Sequence, residues 1–166
     1  MHKRNKLNQN MKIPTIKECL KIMREHNLPK HIIAHSKAVC KVALEVVNKL
    51  EKKGIKVDKD LIVAGALLHD VKRLDKDHVK SGAELLESLG LKEVARIVKT
   101  HGLKHFEEED FTPKTTEEKI VFYADKRVVD DKIVSLEERF KYLKEKYGTE
   151  DKLYHYTKKM EKELLG

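Results

Sequence analysis

Six side chains in this sequence have the chemistry of metal ligands and sit where such groups should be rare: His35, His69, Asp70, His78, His101 and Asp125. On a helix, residues three, four and seven apart share a face. His35 falls between Ile32 and Val39, with Val42 and Val46 further along. His69 follows Ile62 and Gly65, and Asp70 shares the adjoining face with Ala66 and Leu67. Asp125 follows Val121 and Phe122, His78 precedes Gly82, Leu85 and Leu86, and His101 follows Val94, Ile97 and Val98. Ionisable groups are uncommon on such apolar stripes. One buried His is accounted for by a hydrogen bond to a carbonyl, and one Asp by a cap or a buried Arg. Several on different segments ask for a common cause. Two buried carboxylates cost much less when a divalent cation neutralises them, and neutral imidazoles are good ligands for that cation. His35, His69, Asp70 and Asp125 together offer two nitrogens and two oxygens. That set suits Mn, Fe, Co, Ni or Zn better than Ca, with Mg also admitted. His2, His26, His31, His105 and His155 lie at element ends or among polar residues and read as surface residues, although the loop of His105 can fold over the site.

The elements that must position these groups are helices. Leu61-Ile62-Val63-Ala64-Gly65-Ala66-Leu67-Leu68 is the most apolar run in the chain, and it leads straight into His69-Asp70. Asp58 offers it an N-cap, so the run reads as a central helix over 59–73, buried on most sides. Thr15-Ile16-Lys17-Glu18 is a capping box that starts a helix ending near 27, before Pro29. A second helix is expected over 30–53, stopping at Gly54. Others follow over 78–89 behind Asp77, and 92–101 before Gly102. Residues 103–115 form the longest expected loop, carrying the acidic run Glu107-Glu108-Glu109-Asp110. Thr115-Thr116-Glu117-Glu118 caps a helix to about 129, and Ser135-Leu136-Glu137-Glu138 caps another ending near Gly148. The last helix is expected over 150–165. There is no internal repeat and no β-alternation, so the expected fold is all-α, a compact helical bundle over 12–166 read as a single domain with C-terminal helices. Residues 1–11, basic and Asn-rich, read as a disordered leader.

Composition narrows the function. The chain has 166 residues, 39% charged and 5% aromatic, with no Trp and a net charge of +8. Such a balance suits a Lys-rich solvated surface or a phosphate-bearing partner. No aromatic-interleaved basic stripe or nucleic-acid motif is present, so a small phosphorylated compound is the expected partner rather than nucleic acid. Cys19 and Cys40 form no CxxC pair and no disulfide framework, which fits small core residues in a reducing, cytoplasmic setting. No apolar run reaches the ~18 residues of a membrane span. The oligomeric state is left open, a homodimer included.

In order, His35, His69-Asp70 and Asp125 resemble the H…HD…D signature of the HD-domain superfamily of metal-dependent phosphohydrolases. The local contexts Ile33-Ala34-His35-Ser36, Ala66-Leu67-Leu68-His69-Asp70 and Tyr123-Ala124-Asp125 carry the likeness, which covers roughly 28–130 and is strongest to HDIG-type proteins. The usual His-Asp-Ile-Gly-Lys is here His69-Asp70-Val71-Lys72-Arg73, and no GYP motif is present. The resemblance implies a bundle with the metal between helices, His35, His69, Asp70 and Asp125 as ligands, and hydrolysis of a phosphoester or phosphoanhydride, of a nucleotide or a similar small phosphate. His78 and His101 match the extra histidines of subgroups with a second metal. One ion is therefore the basic expectation, and two are expected if these histidines join the site, with Asp70 as the bridge. The helices of His78 and His101, joined at Gly90-Leu91, would form a hairpin that returns both histidines to one end of the bundle. Arg73, Lys126 and Arg127 are the candidate cations for the phosphate, with Lys72 and Lys104 behind them. Asp70, Arg73 and Lys126 are the candidate catalytic groups. The same ligands would also serve a di-iron oxygenase, and a nucleotide-sensing module without turnover is the alternative of another class.

Overall fold

The computed structural model describes residues 12–166. The leader expected over 1–11 lies outside the described residues. Eight α-helices account for most of the described chain: α1 Ile16–Glu25, α2 Lys30–Lys52, α3 Lys59–Leu68, α4 His78–Ser88, α5 Lys92–Lys99, α6 Thr116–Asp125, α7 Leu136–Tyr147 and α8 Asp151–Leu165. The all-α fold read from the sequence is the one observed. No described helix is long and apolar enough to cross a membrane.

The helix starts follow their caps. Thr15 and Glu18 form the reciprocal capping box at α1. The side chains of Asp58, Asp77, Thr115 and Ser135 accept from backbone N–H groups in the first turns of α3, α4, α6 and α7. Each such cap supplies one of the acceptors that a helix start lacks. At α7, Gly148 ends the helix in the left-handed conformation, φ +66°.

α3 is the hub. It packs against α1, α2, α5 and α6, and seven of its ten residues are buried. It approaches α5 closely at Gly65, where a Cβ would stand 2.6 Å from a methyl carbon of Ile97. A larger residue there would push the two helices apart. α4 and α5 form the expected antiparallel hairpin, α2 crosses α3 and α6, and α8 closes the far side against α2, α6 and α7.

Three helix ends differ from the sequence reading. α3 stops at Leu68, not near 73, and the chain then unwinds through short turns, with Val71 N–H donating to Leu68 O and Arg73 N–H to Asp70 O. α5 stops at Lys99, and α6 at Asp125 instead of near 129. After α6 comes a two-stranded hairpin, β1 Val128–Val129 and β2 Lys132–Ile133, paired antiparallel with Asp130 in its turn at φ 56°. Strands of two residues are too short to show alternation, so no sequence pattern announced them. Residues 103–115 form the expected loop, interrupted by one 3-10 turn at Glu109–Phe111.

Gly65→Val should cost about 1–3 kcal/mol of stability, because Ile97 is itself fully packed and can retreat only by moving α5. Denaturant midpoints of the two proteins check this.

Candidate metal centre

All six ligand-type side chains converge at one end of the bundle. His69 and Asp70 leave the C-terminal end of α3, His101 follows α5, and Asp125 is the last residue of α6. His78 opens α4, and His35 sits in the N-terminal half of α2. His69, Asp70, His101 and Asp125 are buried, while His35 and His78 are partly open.

Carbonyls aim the imidazoles. His69 Nδ1 lies 2.6 Å from Ala66 O and His101 Nδ1 lies 2.6 Å from Val98 O. Both carbonyls belong to the last turn of the preceding helix, three residues back. In a continued α-helix, Ala66 O would accept from Asp70 N–H and Val98 O from Gly102 N–H. Here each imidazole bonds that carbonyl just where its helix ends. His35 Nδ1 lies 2.6 Å from Asp130 O, the carbonyl offered by the turn of the hairpin. With Nδ1–H donated in each case, the Nε2 lone pairs of all three rings are left facing the centre, the arrangement that metal-ligating histidines use.

The distances describe two adjoining nests. Asp125 Oδ1 is 3.1 Å from His35 Nε2 and 3.2 Å from His69 Nε2. Asp70 Oδ2 faces the same two nitrogens at 3.6 and 3.5 Å. The other oxygen of Asp70, Oδ1, is 3.5 Å from both His78 Nε2 and His101 Nε2. Ligands bound about 2.1 Å from one ion at tetrahedral or octahedral angles stand about 3–3.5 Å apart, so this spacing fits a divalent ion in the first nest. The pair His35 Nε2 and His69 Nε2 makes the same point, since the two lone-pair nitrogens stand 3.3 Å apart and need a positive charge between them.

Electrostatics agree. Burial alone would push the His69 pKa down, but the Asp70 and Asp125 carboxylates raise it to about 9. Burial would raise both carboxylates, yet His69 holds Asp70, and Lys126 holds Asp125, below the usual range. Burial and the neighbouring His101 lower His78 to about 4, and burial also lowers His101. The nest of His35, His69 and Asp125 thus calls for a cation, and in its absence a proton on His69 serves. The nest of His78 and His101 keeps neutral rings.

Of the candidate cations, the structure brings three to the site. A cleft of about 710 Å³ opens over the centre, and Arg73, Lys104 and Lys126 line it. Arg73 Nη1 is 3.5 Å from His78 Nδ1 at the mouth. Lys126 is buried on the floor, its Nζ donating to Asp125 Oδ2 at 2.6 Å and to His101 O at 2.8 Å. It therefore fixes Asp125, so that Oδ1 is the oxygen left to face the imidazoles. Two expectations are corrected. Arg127 is turned away from the cleft, donating from Nη1 to the Tyr123 hydroxyl at 2.8 Å and from Nε to Val134 O. Lys72 pairs with Asp75 at 3.9 Å outside the cleft. Both lie beside a site residue in sequence, but the turns after α3 and α6 rotate them outward. His105 stays outside the cluster, with Nε2 3.0 Å from Asp77 Oδ2 and Nδ1 2.5 Å from Glu108 Oε2, and pins the 103–115 loop to the start of α4.

Sequence reasoning missed the opposite wall. Arg139, Tyr142, Leu143, Lys146 and Tyr147 of α7 all line the cleft. Their three-and-four spacing was visible, but the sequence reading marked this helix only by its capping box and its end near Gly148.

Known proteins resemble the segment that carries the centre. The family model described as the HD domain matches residues 32–129, a span that includes all six side chains. A tRNA (cytidine(56)-2'-O)-methyltransferase of Picrophilus torridus is 36% identical over 140 residues, which is 76% of this chain and 40% of that protein. An uncharacterized protein of Methanocaldococcus jannaschii is 33% identical over 133 residues, 72% of this chain and 79% of that one. The dihydroneopterin 2',3'-cyclic phosphate phosphodiesterase of the same organism is 32% identical over 127 residues, 65% of this chain and 49% of that one. The chain therefore spans less than half of the methyltransferase and about half of the phosphodiesterase. No solved structure matches.

The His69 shift sets a pH dependence. A folded-state pKa of about 9 against an ordinary 6.5 stabilises the metal-free protein below about pH 6.5, and that stabilisation is lost as pH rises through 9. The chelated protein should therefore lose more melting temperature between pH 6.5 and 9 than chelated His69→Asn does. The increment added by saturating metal should grow over the same range, because the ion replaces that proton. Thermal melts of both proteins, with and without chelator, measure it.

Proposed function

Because the chain belongs to the HD-domain family, we propose that it is a metal-dependent phosphohydrolase that cleaves a phosphoester or phosphoanhydride bond in a nucleotide or a similar small phosphate. The observation that carries this reading is the division of Asp70, one oxygen toward His35 and His69 and the other toward His78 and His101. A carboxylate placed this way is suited to bridge two ions. Divalent ions held here would supply Lewis acidity, activating water and countering charge on phosphoryl oxygens.

The side chains divide the remaining work. His35, His69, Asp70 and Asp125 would hold the first ion, and Asp70, His78 and His101 a second. Lys126, on the cleft floor, is a positioning residue, since its ammonium is bound to Asp125 Oδ2 and His101 O. Arg73, exposed at the mouth beside His78, is the cation best placed to meet a phosphoryl oxygen. Burial of the centre strengthens each of these charge contacts relative to water. The phosphodiesterase relative supports a phosphodiester substrate, a cyclic one among them. The methyltransferase activity belongs to proteins of which this chain matches 40%, and is not carried over.

Metal analysis of the isolated protein, then a phosphoester panel with Mn, Co, Ni, Mg and Fe, tests the reading. Turnover should require a divalent metal. Bound iron with oxygen consumption and no phosphoester cleavage would replace it with the oxygenase reading, and nucleotide binding without turnover in any metal would replace it with a sensing module. The double substitution His78→Ala with His101→Ala should lower the metal content at saturation from two ions per chain to one and remove most activity. A wild type that never exceeds one ion per chain returns the centre to a mononuclear form.

A further inference from the structure

The segment matched by the family model ends at residue 129, and α7 begins at Leu136. α7, which lines the cleft together with the metal-ligand side chains, thus lies beyond the residues that the family model matches. α7 is seated by Leu136, Phe140 and Leu143, which are buried. Arg139, Tyr142, Leu143 and Lys146 recur at spacings of three and four, so they share a face, and that face lines the cleft.

Arg139 is the unusual member. Its Nε is buried without a hydrogen-bond partner, and among the described residues the guanidinium forms no ion pair. Buried guanidinium N–H groups are costly when nothing accepts from them. Its planar group lies by the Tyr142 ring, 5.7 Å from the centroid. Arg139 lines the same cleft as Asp70, His101, Asp125 and Lys126. Further along, Lys146 Nζ donates to the Tyr142 hydroxyl at 2.9 Å and lies 5.4 Å from the Tyr147 ring centroid. Tyr147 is 59% exposed, a large aromatic left open at the cleft mouth. The face of α7 on the cleft thus carries a guanidinium, an ammonium and two tyrosine rings.

A free phosphate needs no aromatic wall, and a cleft of about 710 Å³ is much larger than a phosphate. Ligand sites of drug-sized and cofactor-sized molecules occupy about 300–1,000 Å³. Arginine matches a phosphate through its fork of donors, and tyrosine faces stack on bases whatever their sequence. We propose that α7 selects the substrate: Arg139 grips a phosphate beside the metal centre, and Tyr142 and Tyr147 stack the heteroaromatic base of a nucleotide that carries it. This rests on the phosphohydrolase reading for its reaction, but not for its binding.

The test is equilibrium binding of AMP and of ribose 5-phosphate to the full chain, loaded with Mn and chelated, followed by calorimetry. Wild type should bind AMP about 5-fold or more tighter than ribose 5-phosphate, the difference being the stacked base. Arg139→Gln should weaken both ligands about 10-fold or more, since a charge-assisted contact to phosphate is lost from each. Arg139→Lys, which keeps the charge without the fork, should fall between. The double substitution Tyr142→Leu with Tyr147→Leu should weaken AMP alone and erase its advantage. Equal affinities of wild type for the two ligands, or unchanged affinities in Arg139→Gln, overturn the proposal. Phosphoester turnover without base discrimination would refute the role of α7 and leave the hydrolase reading standing. Base discrimination without turnover in any metal would do the reverse.

Discussion

Asp70 and Asp125 bring two carboxylates into a nearly closed space, and the end of the bundle is arranged around that charge. A buried carboxylate is costly unless it is paired and hydrogen-bonded. Here the partners are the imidazoles of His35, His69, His78 and His101, and the ammonium of Lys126 on Asp125. None of these elements could be moved without stranding a charge. A cation between the nitrogens satisfies the whole set at once, and this is why the site reads as a metal centre rather than as a group of core histidines.

Helix ends supply the precision. The last turn of a helix has carbonyls to spare, and α3 and α5 each give one to the imidazole three residues on. The bond that orients each ring is made at the point where its helix ends. The hairpin after α6 does the equivalent for His35 through Asp130 O. Gly65 matters at a distance, because the close approach of α3 to α5 sets how far apart His69 and His101 stand.

Metal centre and cleft are two constructions in the same bundle. The centre is built from α2 through α6, inside the span of the family likeness. The opposite wall comes from α7, beyond that span. The His105 contacts with Asp77 and Glu108 hold the long 103–115 loop to the start of α4, beside the cleft that Asp77 helps to line.

The sequence by itself determined the helical class, the capped helix starts and the six residues that meet. Caps and apolar stripes are local signals, set by hydrogen bonds within a turn and by a period of 3.6 residues, and an ionisable group on an apolar stripe stands out without knowledge of its partners. Which way a side chain turns at a helix end is not local. Lys72 and Arg127 neighbour the site in sequence yet face away, because unwinding after α3 and α6 rotates successive residues by amounts that no period reveals. Lys126 differs in another way: read from sequence as a cation for the phosphate, it is buried and bound to Asp125 and His101 O. The hairpin at Val128–Ile133 was too short for alternation, and nothing in the sequence singled out Arg139. Only the packing of α7 gave that arginine a place in the lining of the cleft, since contacts between segments far apart in sequence form only when the whole core closes.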